Sequence, residues 1–133
     1  PAYCPAAGAV SEAVGFTRYK ITYKTVGIQG EEVESAGQMM VPDSQGARPL
    51  FVYQHGTVMG RSELPSNNPP QSETAILGVC FATRGYVTLL ADYLGFGDST
   101  GVHPYLHAST EATAARDLMR ASKVALSQLS GQL

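Results

Sequence analysis

The amino-acid sequence predicts an α/β fold, because strand patterns and helix patterns follow one another along most of its 133 residues. Two short and nearly continuous apolar runs, Leu50–Gln54 and Tyr86–Ala91, are typical of strands that are covered on both faces. A helix pattern lies between them. A strand–helix–strand unit of this kind predicts two parallel strands joined by a right-handed crossover.

The first two strands are predicted to form a β-hairpin. Residues Thr17–Val26 alternate strictly between polar and apolar, which predicts a half-buried strand. Its apolar face carries Tyr19, Ile21 and Tyr23. A turn over residues 27–30 and a return strand over Val33–Val41 follow. The predicted order of elements is therefore β-hairpin, strand, helix, strand, helix.

The two helices are predicted from their ends and from apolar spacing. Ser72 is a suitable N-cap for the first helix, Gly85 suits the C′ position that ends it, and the second helix begins after Ser109. Asp117 and Arg120 are spaced to form an ion pair on the second helix. The residues predicted to face the core are Ile76, Val79, Cys80 and Thr83 in the first helix, and Ala115, Leu118, Met119, Ser122, Leu126 and Leu129 in the second.

The composition excludes several functional classes. Apolar residues make up 44% of the chain and charged residues 15%, which is typical of a globular domain. A formal net charge of −2 gives no indication of nucleic-acid binding. No run reaches the ~18 apolar residues that a transmembrane segment requires. No cofactor and no metal site are expected, because two cysteines without histidines at ligand spacing do not form one.

The two cysteines leave two interpretations open. Cys80 lies on the predicted apolar face of the first helix, where it would be a small buried hydrophobe. In the alternative, Cys4 and Cys80 form a disulfide that ties down the N-terminal segment, as is possible in a secreted protein.

Gly97, Ser99 and Gly101 fit the G-x-S-x-G pattern of a serine-hydrolase nucleophile, but Ser99 is predicted to be a decoy. A nucleophile elbow is a strand, one tight turn and then immediately a helix, whereas five residues separate the apolar strand from Gly97. In this fold the triad runs serine, acid, histidine, and no histidine follows the acids that come after Ser99. The preferred interpretation is a structural loop, in which glycines and polar side chains form turns.

The motif His55-Gly56-Thr57 follows the buried strand Leu50–Gln54. An oxyanion hole takes one of its backbone N–H donors from such a strand end. Gly56 would let a substrate approach the backbone closely, and Thr57 would offer its N–H. The alternative is a simple strand-end turn in which His55 is satisfied locally.

The chain resembles α/β-hydrolases of the secretory-lipase and esterase kind in three stretches: YQHGT at 53–57, LLADYLGFGDSTGVHPYLHA at 89–108, and the E-A…D-L-M-R-A helix that follows. These proteins are related to the larger serine-hydrolase group that includes the prolyl-oligopeptidase-like peptidases. The resemblance spans roughly residues 17–127. In such proteins the D-Y-x-G-x-G-x-S loop follows the fourth strand, and the nucleophile elbow follows the next one.

This resemblance implies a carboxylic-ester hydrolase, esterase-like or lipase-like, that works by Ser-His-Asp/Glu acyl transfer. Only the oxyanion donor maps onto this chain, at Thr57, with His55 and Gly56 shaping the turn. Residues 1–133 are therefore expected to be the N-terminal portion of a single α/β-hydrolase domain, whose remainder carries nucleophile, acid and base. The expected partners are a small-molecule ester substrate and that remainder. The expected location is secreted or periplasmic.

Two other functions stay open: an amidase or peptidase of the same fold, and a non-catalytic binding or structural module. In the hydrolase order the strand Leu50–Gln54 lies between Tyr86–Ala91 and the strand that would come next. Without that next strand it is expected to be an exposed sheet edge, which favours aggregation unless the remainder covers it.

Overall fold

The structure, a computed structural model, describes residues 14–67 and 72–130 of the chain. Its strands and α-helices are β1 (Phe16–Val26), β2 (Glu32–Pro42), β3 (Leu50–Tyr53), α1 (Glu73–Ala82), β4 (Val87–Ala91) and α2 (Ala108–Ser130). Two short 3₁₀ turns, Arg61–Glu63 and Pro65–Asn67, lie between β3 and α1. The predicted order of elements is therefore confirmed.

The four described strands form one mixed sheet in the order β1-β2-β4-β3. β1 and β2 form the predicted antiparallel hairpin, which pairs Phe16 with Pro42 at one end and Val26 with Glu32 at the other. β4 pairs antiparallel with β2 and parallel with β3. The predicted parallel pair is confirmed, and β3 is an edge strand of the sheet that the described residues form.

Apolar side chains cover both faces of this sheet. Successive residues of a strand point to opposite faces, so neighbours along β4 belong to different clusters. Leu89 packs in one cluster with Leu118 of α2, and Leu90 packs in another with Ala82 of α1. The sheet thus lies between the two helices, with α2 on one face and α1 on the other.

The buried face of α1 differs from the predicted one. The residues that α1 buries are Thr74, Ala75, Gly78 and Ala82. Of the predicted stripe, Val79 packs against the core, whereas Ile76 is 37% exposed. Small residues face the sheet because the helix lies close to it: a Cβ at Gly78 would come within 2.6 Å of Met40 Cε. The prediction for this face is therefore confirmed for Val79 and wrong for Ile76.

The start of α1 agrees with the sequence, and its end differs by one residue. The Ser72 side chain accepts a hydrogen bond from the Ala75 N–H at 3.1 Å, which confirms the predicted N-cap. The C-cap is Thr83, so Gly85 lies one residue beyond the predicted C′ position, with a φ of +87°. That left-handed conformation favours glycine, because a Cβ would be strained there. The chain can then turn directly into β4.

α2 lies on the sheet along a line of small and apolar side chains. Five residues of the predicted stripe are buried or pack at the edge of the core: Ala115, Leu118, Ser122, Leu126 and Leu129. Met119 is 36% exposed, so that part of the prediction is wrong. It lies one position beyond the buried line of Ala114 and Leu118, and therefore turns outward. Neither helix in the described ranges is long and apolar enough to cross a membrane.

Asp117 connects α2 to β1. Its carboxylate accepts hydrogen bonds from Thr25 Oγ1 at 3.0 Å, from Arg116 Nε at 2.8 Å and from Arg120 at 3.1 Å. The Arg116 guanidinium is the main cause of a lowered pKa at Asp117, and Thr25 and Arg120 lower this pKa further. The predicted Asp117–Arg120 pair is confirmed.

Cys80 takes part in a disulfide bond and is half-buried on α1. The interpretation of this residue as a free buried hydrophobe is therefore wrong. The Arg84 guanidinium contacts its sulfur at 2.9 Å. Cys4, the partner that the sequence suggests, lies outside the described residues.

Candidate functional site

The candidate site lies at the carboxyl end of the parallel pair β3 and β4. Ligands of open α/β sheets bind outside this end of the strands. Residues 55–57 follow β3, and Asp92 directly follows β4. The register pairs Tyr53 with Leu90, and continuing it by two residues places His55 beside Asp92. Two titratable residues therefore adjoin at this sheet end.

His55 is buried, with 8% of its surface exposed. Its Nδ1 lies 2.8 Å from the Gly56 carbonyl oxygen, which can only accept, so Nδ1 carries the proton and donates. Its Nε2 is buried without a hydrogen-bond partner among residues 14–67 and 72–130. The imidazole packs on the Tyr93 ring at a centroid distance of 4.3 Å. The Tyr93 hydroxyl donates to the His55 carbonyl at 3.4 Å, so both side chain and backbone of His55 are held.

Asp92 is fully buried. One carboxylate oxygen, Oδ1, accepts a hydrogen bond from the Ser66 N–H at 2.9 Å, while Oδ2 has no partner in the described part of the chain. Burial raises the pKa of Asp92, and the Ser66 hydrogen bond and the charges of His55 and Lys20 oppose that rise. Gly97 packs directly on this carboxylate, since a Cβ at that position would collide with Oδ2. Asp92 is thus a buried acid covered by residues 93–101, the glycine-rich loop that follows β4.

Gly56 and Thr57 are exposed, in contrast to His55. A Cβ at Gly56 would meet no atom within 4 Å, so open space adjoins this peptide. The Thr57 hydroxyl lies 3.0 Å from the Tyr105 hydroxyl. No atom of the described residues accepts a hydrogen bond from the Thr57 N–H. The arrangement can therefore offer this N–H to a ligand, which is what the predicted oxyanion role requires.

Ser99 lies inside the glycine-rich loop and is only 5% exposed. Its Oγ accepts a hydrogen bond from the Gly95 N–H at 3.1 Å. Its own N–H donates to the Phe96 carbonyl at 2.9 Å. The hydroxyl thus holds a turn together, as expected of a structural loop. That Ser99 is a decoy, which means that it fits the motif but is not the nucleophile, stays a prediction.

Two charged side chains fix this loop to the rest of the site. Arg61 donates to the carbonyl oxygens of Gly95 and Gly97 at 3.0 and 3.3 Å. Lys20 of β1 forms an ion pair with Asp98 at 2.8 Å. The long segment after β3 and the glycine-rich loop after β4 are therefore joined across the end of the sheet.

His103 and His107 have structural partners. His103 donates from Nδ1 to the Leu94 carbonyl at 2.8 Å, and its ring stacks on Phe96 at 4.2 Å. The His107 ring lies 3.1 Å from Thr110 Oγ1 at the start of α2. Both histidines therefore have partners within the segment between β4 and the first turn of α2. No group of His, Cys, Asp or Glu side chains that could hold a metal ion occurs within the two described ranges.

The sequence analysis did not select Asp92 or Tyr105 as site residues. Asp92 is the first polar residue after its apolar strand and shares its register with His55 after β3. Aligning the ends of the two apolar runs could have found that pair. Tyr105 gave no such signal, because its contact with Thr57 depends on how the loop after β4 folds back.

Two proteins of known structure are similar to this chain. A Legionella pneumophila protein that is described as a candidate hydrolase gives a TM-score of 0.83 over 95% of this chain, at 30% identity. The rice cell wall degrading esterase LipA from Xanthomonas oryzae gives 0.81 over 97% of the chain, also at 30% identity. The fold is hydrolase/esterase-like. A ligand-bound form of LipA gives 0.79 at 28% identity.

The chain spans about a third of the length of these proteins, since the matched region is 34% of each. No protein-family model and no curated protein matches the chain. The predicted resemblance to esterases is therefore confirmed for the fold. The relation to prolyl-oligopeptidase-like peptidases stays a prediction.

Proposed function

We propose that this chain is the part of a carboxylic-ester hydrolase that supplies one oxyanion-hole donor, the backbone N–H of Thr57. A serine outside residues 1–133 attacks the acyl carbon, and a histidine, oriented by an acid, moves the proton from that serine to the leaving alcohol. The Thr57 N–H hydrogen-bonds to the oxygen that becomes negative in the tetrahedral intermediate. A water molecule, deprotonated by the same histidine, then attacks the acyl-enzyme and releases the carboxylic acid and the free serine.

One observation carries this proposal: Thr57 is exposed and its N–H has no acceptor in the described ranges, at the end of a parallel strand in an esterase-like fold. Buried backbone donors are nearly always paired, so a donor left for a ligand is expected at the surface of a site. Gly56 adjoins open space, and a substrate carbonyl can therefore reach hydrogen-bond distance.

Three features of the sheet edge support the proposal that the remainder of the hydrolase packs against it. Leu50 of β3 is 49% exposed. A groove between β3, β4 and α2 has an apolar floor with cationic side chains around it; the apolar residues are Leu50, Val87, Leu89, Met119 and Leu126, and the cationic ones are Arg48, Arg116, Arg120 and Lys123. The buried Ser122 Oγ on α2 has no partner among the described residues. The remainder of the hydrolase, adding a strand beside β3 and covering this groove, accounts for all three features.

The surroundings of Thr57 favour a small-molecule ester with an apolar portion. Met59 and Leu106 are largely exposed, and Tyr105 contacts Thr57 directly. Exposed apolar side chains beside a polar donor are typical of ligand sites, where a few polar groups set the orientation. Export is part of the proposal, because disulfides such as that of Cys80 persist mainly in oxidising compartments.

Turnover of matched substrates tests the reaction class. We expect the complete purified hydrolase to cleave a p-nitrophenyl ester and to leave a peptide anilide nearly untouched, and Ser99→Ala to retain this activity. A preference for the anilide would instead show that the protein is an amidase or peptidase. Absence of both activities would leave the binding or structural module as the function.

A further inference from the structure

His55 fixes the peptide group that carries the Thr57 N–H. The Gly56 carbonyl and the Thr57 N–H belong to one planar trans peptide unit, so they point in opposite directions. The His55 Nδ1–H donates to that carbonyl at 2.8 Å. Because the imidazole is buried, the carbonyl is held toward the protein interior and the N–H is directed to the exposed side.

The imidazole is held by Tyr93 and by the Gly56 carbonyl. Tyr93 packs on the ring and donates to the His55 carbonyl. Continuing the strand register by two residues sets Asp92 beside His55. The Ser66 N–H holds Asp92 Oδ1 at 2.9 Å, so the carboxylate cannot rotate freely. A rigid support of this kind is what a preorganised donor needs.

Two buried atoms of this pair lack a partner within residues 14–67 and 72–130: His55 Nε2 and Asp92 Oδ2. Buried polar atoms are normally satisfied, since an unpaired one costs about 1–3 kcal/mol. A single buried water that donates to both Nε2 and Oδ2 would satisfy the two atoms, since Nε2 is an acceptor when Nδ1 carries the proton.

We propose that His55 and Asp92 form a buried positioning pair, which orients the Gly56–Thr57 peptide so that its N–H faces the developing oxyanion. This inference rests on the proposed function. Neither side chain touches the substrate: His55 acts through the peptide, and Asp92 acts through His55. A hydrogen bond to the carbonyl also polarises the amide, which strengthens the N–H as a donor.

The pair should therefore affect turnover more than substrate binding. The oxyanion exists only after attack, so an interaction with it lowers kcat when it is lost and leaves KM nearly unchanged. A purely structural role would instead lower the stability of the protein and affect both constants together.

Replacing His55 by Asn or by Gln distinguishes the roles of its two ring nitrogens, Nδ1 and Nε2. The Asn amide nitrogen replaces Nδ1 and can still donate to the Gly56 carbonyl, whereas the longer Gln side chain places its nitrogen near the Nε2 position. We expect His55→Gln to lower kcat of the complete hydrolase by about 30- to 100-fold with KM changed by less than about threefold. His55→Asn keeps a donor to the Gly56 carbonyl but loses Nε2, through which Asp92 acts, so His55→Asn and Asp92→Asn should each lose about tenfold in kcat.

His107→Gln is the matched control. The His107 Nδ1 also lies within hydrogen-bond distance of a neighbouring group, Thr110 Oγ1 at 3.1 Å, but this contact belongs to the start of α2 and not to the Gly56–Thr57 peptide. Its kcat should remain close to that of the unmodified enzyme. Melting temperatures of all four variants identify any that fail to fold, and the Asn and Gln variants differ by only one methylene.

Equal kcat values for His55→Gln and His55→Asn would overturn the positioning pair, as would a rise in KM at constant kcat. If His55→Gln does not fold, an unchanged kcat in Asp92→Asn overturns it. An unmodified enzyme without ester hydrolysis would overturn the proposed function and this inference with it. An active enzyme whose variants are unaffected overturns this inference alone.

Discussion

Thr57 offers a substrate two hydrogen-bonding groups, its backbone N–H and its side-chain hydroxyl. The hydroxyl already lies 3.0 Å from the Tyr105 hydroxyl, whereas the N–H has no acceptor in the part of the chain that the structure describes. The proposed chemistry uses the N–H, because a backbone donor is fixed in direction before the substrate arrives. Substitutions that remove one group at a time can separate the two.

Thr57→Pro removes the N–H and Thr57→Ala removes only the hydroxyl. We expect Thr57→Pro to lower kcat for ester hydrolysis by about 10²-fold or more, since this is the cost of losing one oxyanion donor. Thr57→Ala should have a much milder effect. Melting temperatures control for folding, and small, equal losses in both variants would contradict the assignment.

The substitution Gly56→Ala distinguishes a steric effect on substrate binding from an effect on folding. A Cβ at this position meets no protein atom within 4 Å, so Gly56→Ala should change the free energy of unfolding by no more than about 0.5 kcal/mol. The same Cβ occupies the space through which the ester carbonyl approaches, and kcat/KM should fall by about tenfold or more. Gly60→Ala is the control, because its Cβ would meet only Ser62 Oγ, at 3.6 Å. An equal loss of kcat/KM in both variants would contradict the prediction.

At the scale of elements, one carboxylate joins α2 to the hairpin. Asp117 is 92% buried and binds Thr25 of β1 as well as Arg116 and Arg120 of its own helix. Hydrogen bonds to a charged group contribute more to stability than neutral ones. The attachment of α2, and with it one face of the core, therefore depends on the ionised form of Asp117.

Asp117→Asn should lower the free energy of unfolding at pH 7 by about 1–3 kcal/mol. Its folded pKa is lowered mainly by Arg116, so the stabilisation is complete above the unfolded pKa of about 3.9 and is lost as the pH falls through the folded pKa. Urea unfolding from pH 7 to pH 2 should thus show the two curves converging in acid. Glu34→Gln, which affects only the exposed 4.0 Å pair with Lys24, should leave the curve unchanged. A constant difference between Asp117→Asn and the unmodified protein at every pH would contradict this role.

The elements that the sequence predicts best have a clear period. β1 alternates strictly, and its apolar face with Tyr23 packs in the core as expected. The buried face of α1 could not be predicted, because apolar residues lie nearly all around this helix and no period selects one side. Packing selected the side with Gly78 and Ala82, whose small size allows the helix to approach Met40 and Leu90.

Only the part of the candidate site that is contiguous in the sequence was predicted. Residues 55–57 form a contiguous motif after an apolar strand, and the structure places them at the sheet end where ligands bind. Asp92 and Tyr105 join the site through the register of β3 with β4 and through the return of the glycine-rich loop. Aligning the ends of the two apolar runs could have paired Asp92 with His55, whereas the contact of Tyr105 leaves no pattern in the sequence of either segment.

At the scale of the whole molecule, the sheet has an uncovered side. β3 forms the edge of the described sheet, and the chain corresponds to about a third of the esterase and hydrolase structures that it resembles. An apolar edge beside an apolar groove is a site for pairing with further strands or for aggregation.

Residues 1–133 produced alone should therefore aggregate or melt without a cooperative transition, whereas the complete hydrolase should melt cooperatively. Size-exclusion chromatography and thermal unfolding check this expectation. A soluble, monomeric 1–133 with a cooperative transition would show that the fold needs no remainder.

Fluorophosphonate labelling of the purified complete protein, read by intact mass and peptide mapping, tests the central claim most directly. The account predicts one label on a serine outside residues 1–133, and the same label in Ser99→Ala. A label on Ser99 would contradict the assignment of that residue to a structural loop. No label at all would contradict a serine hydrolase.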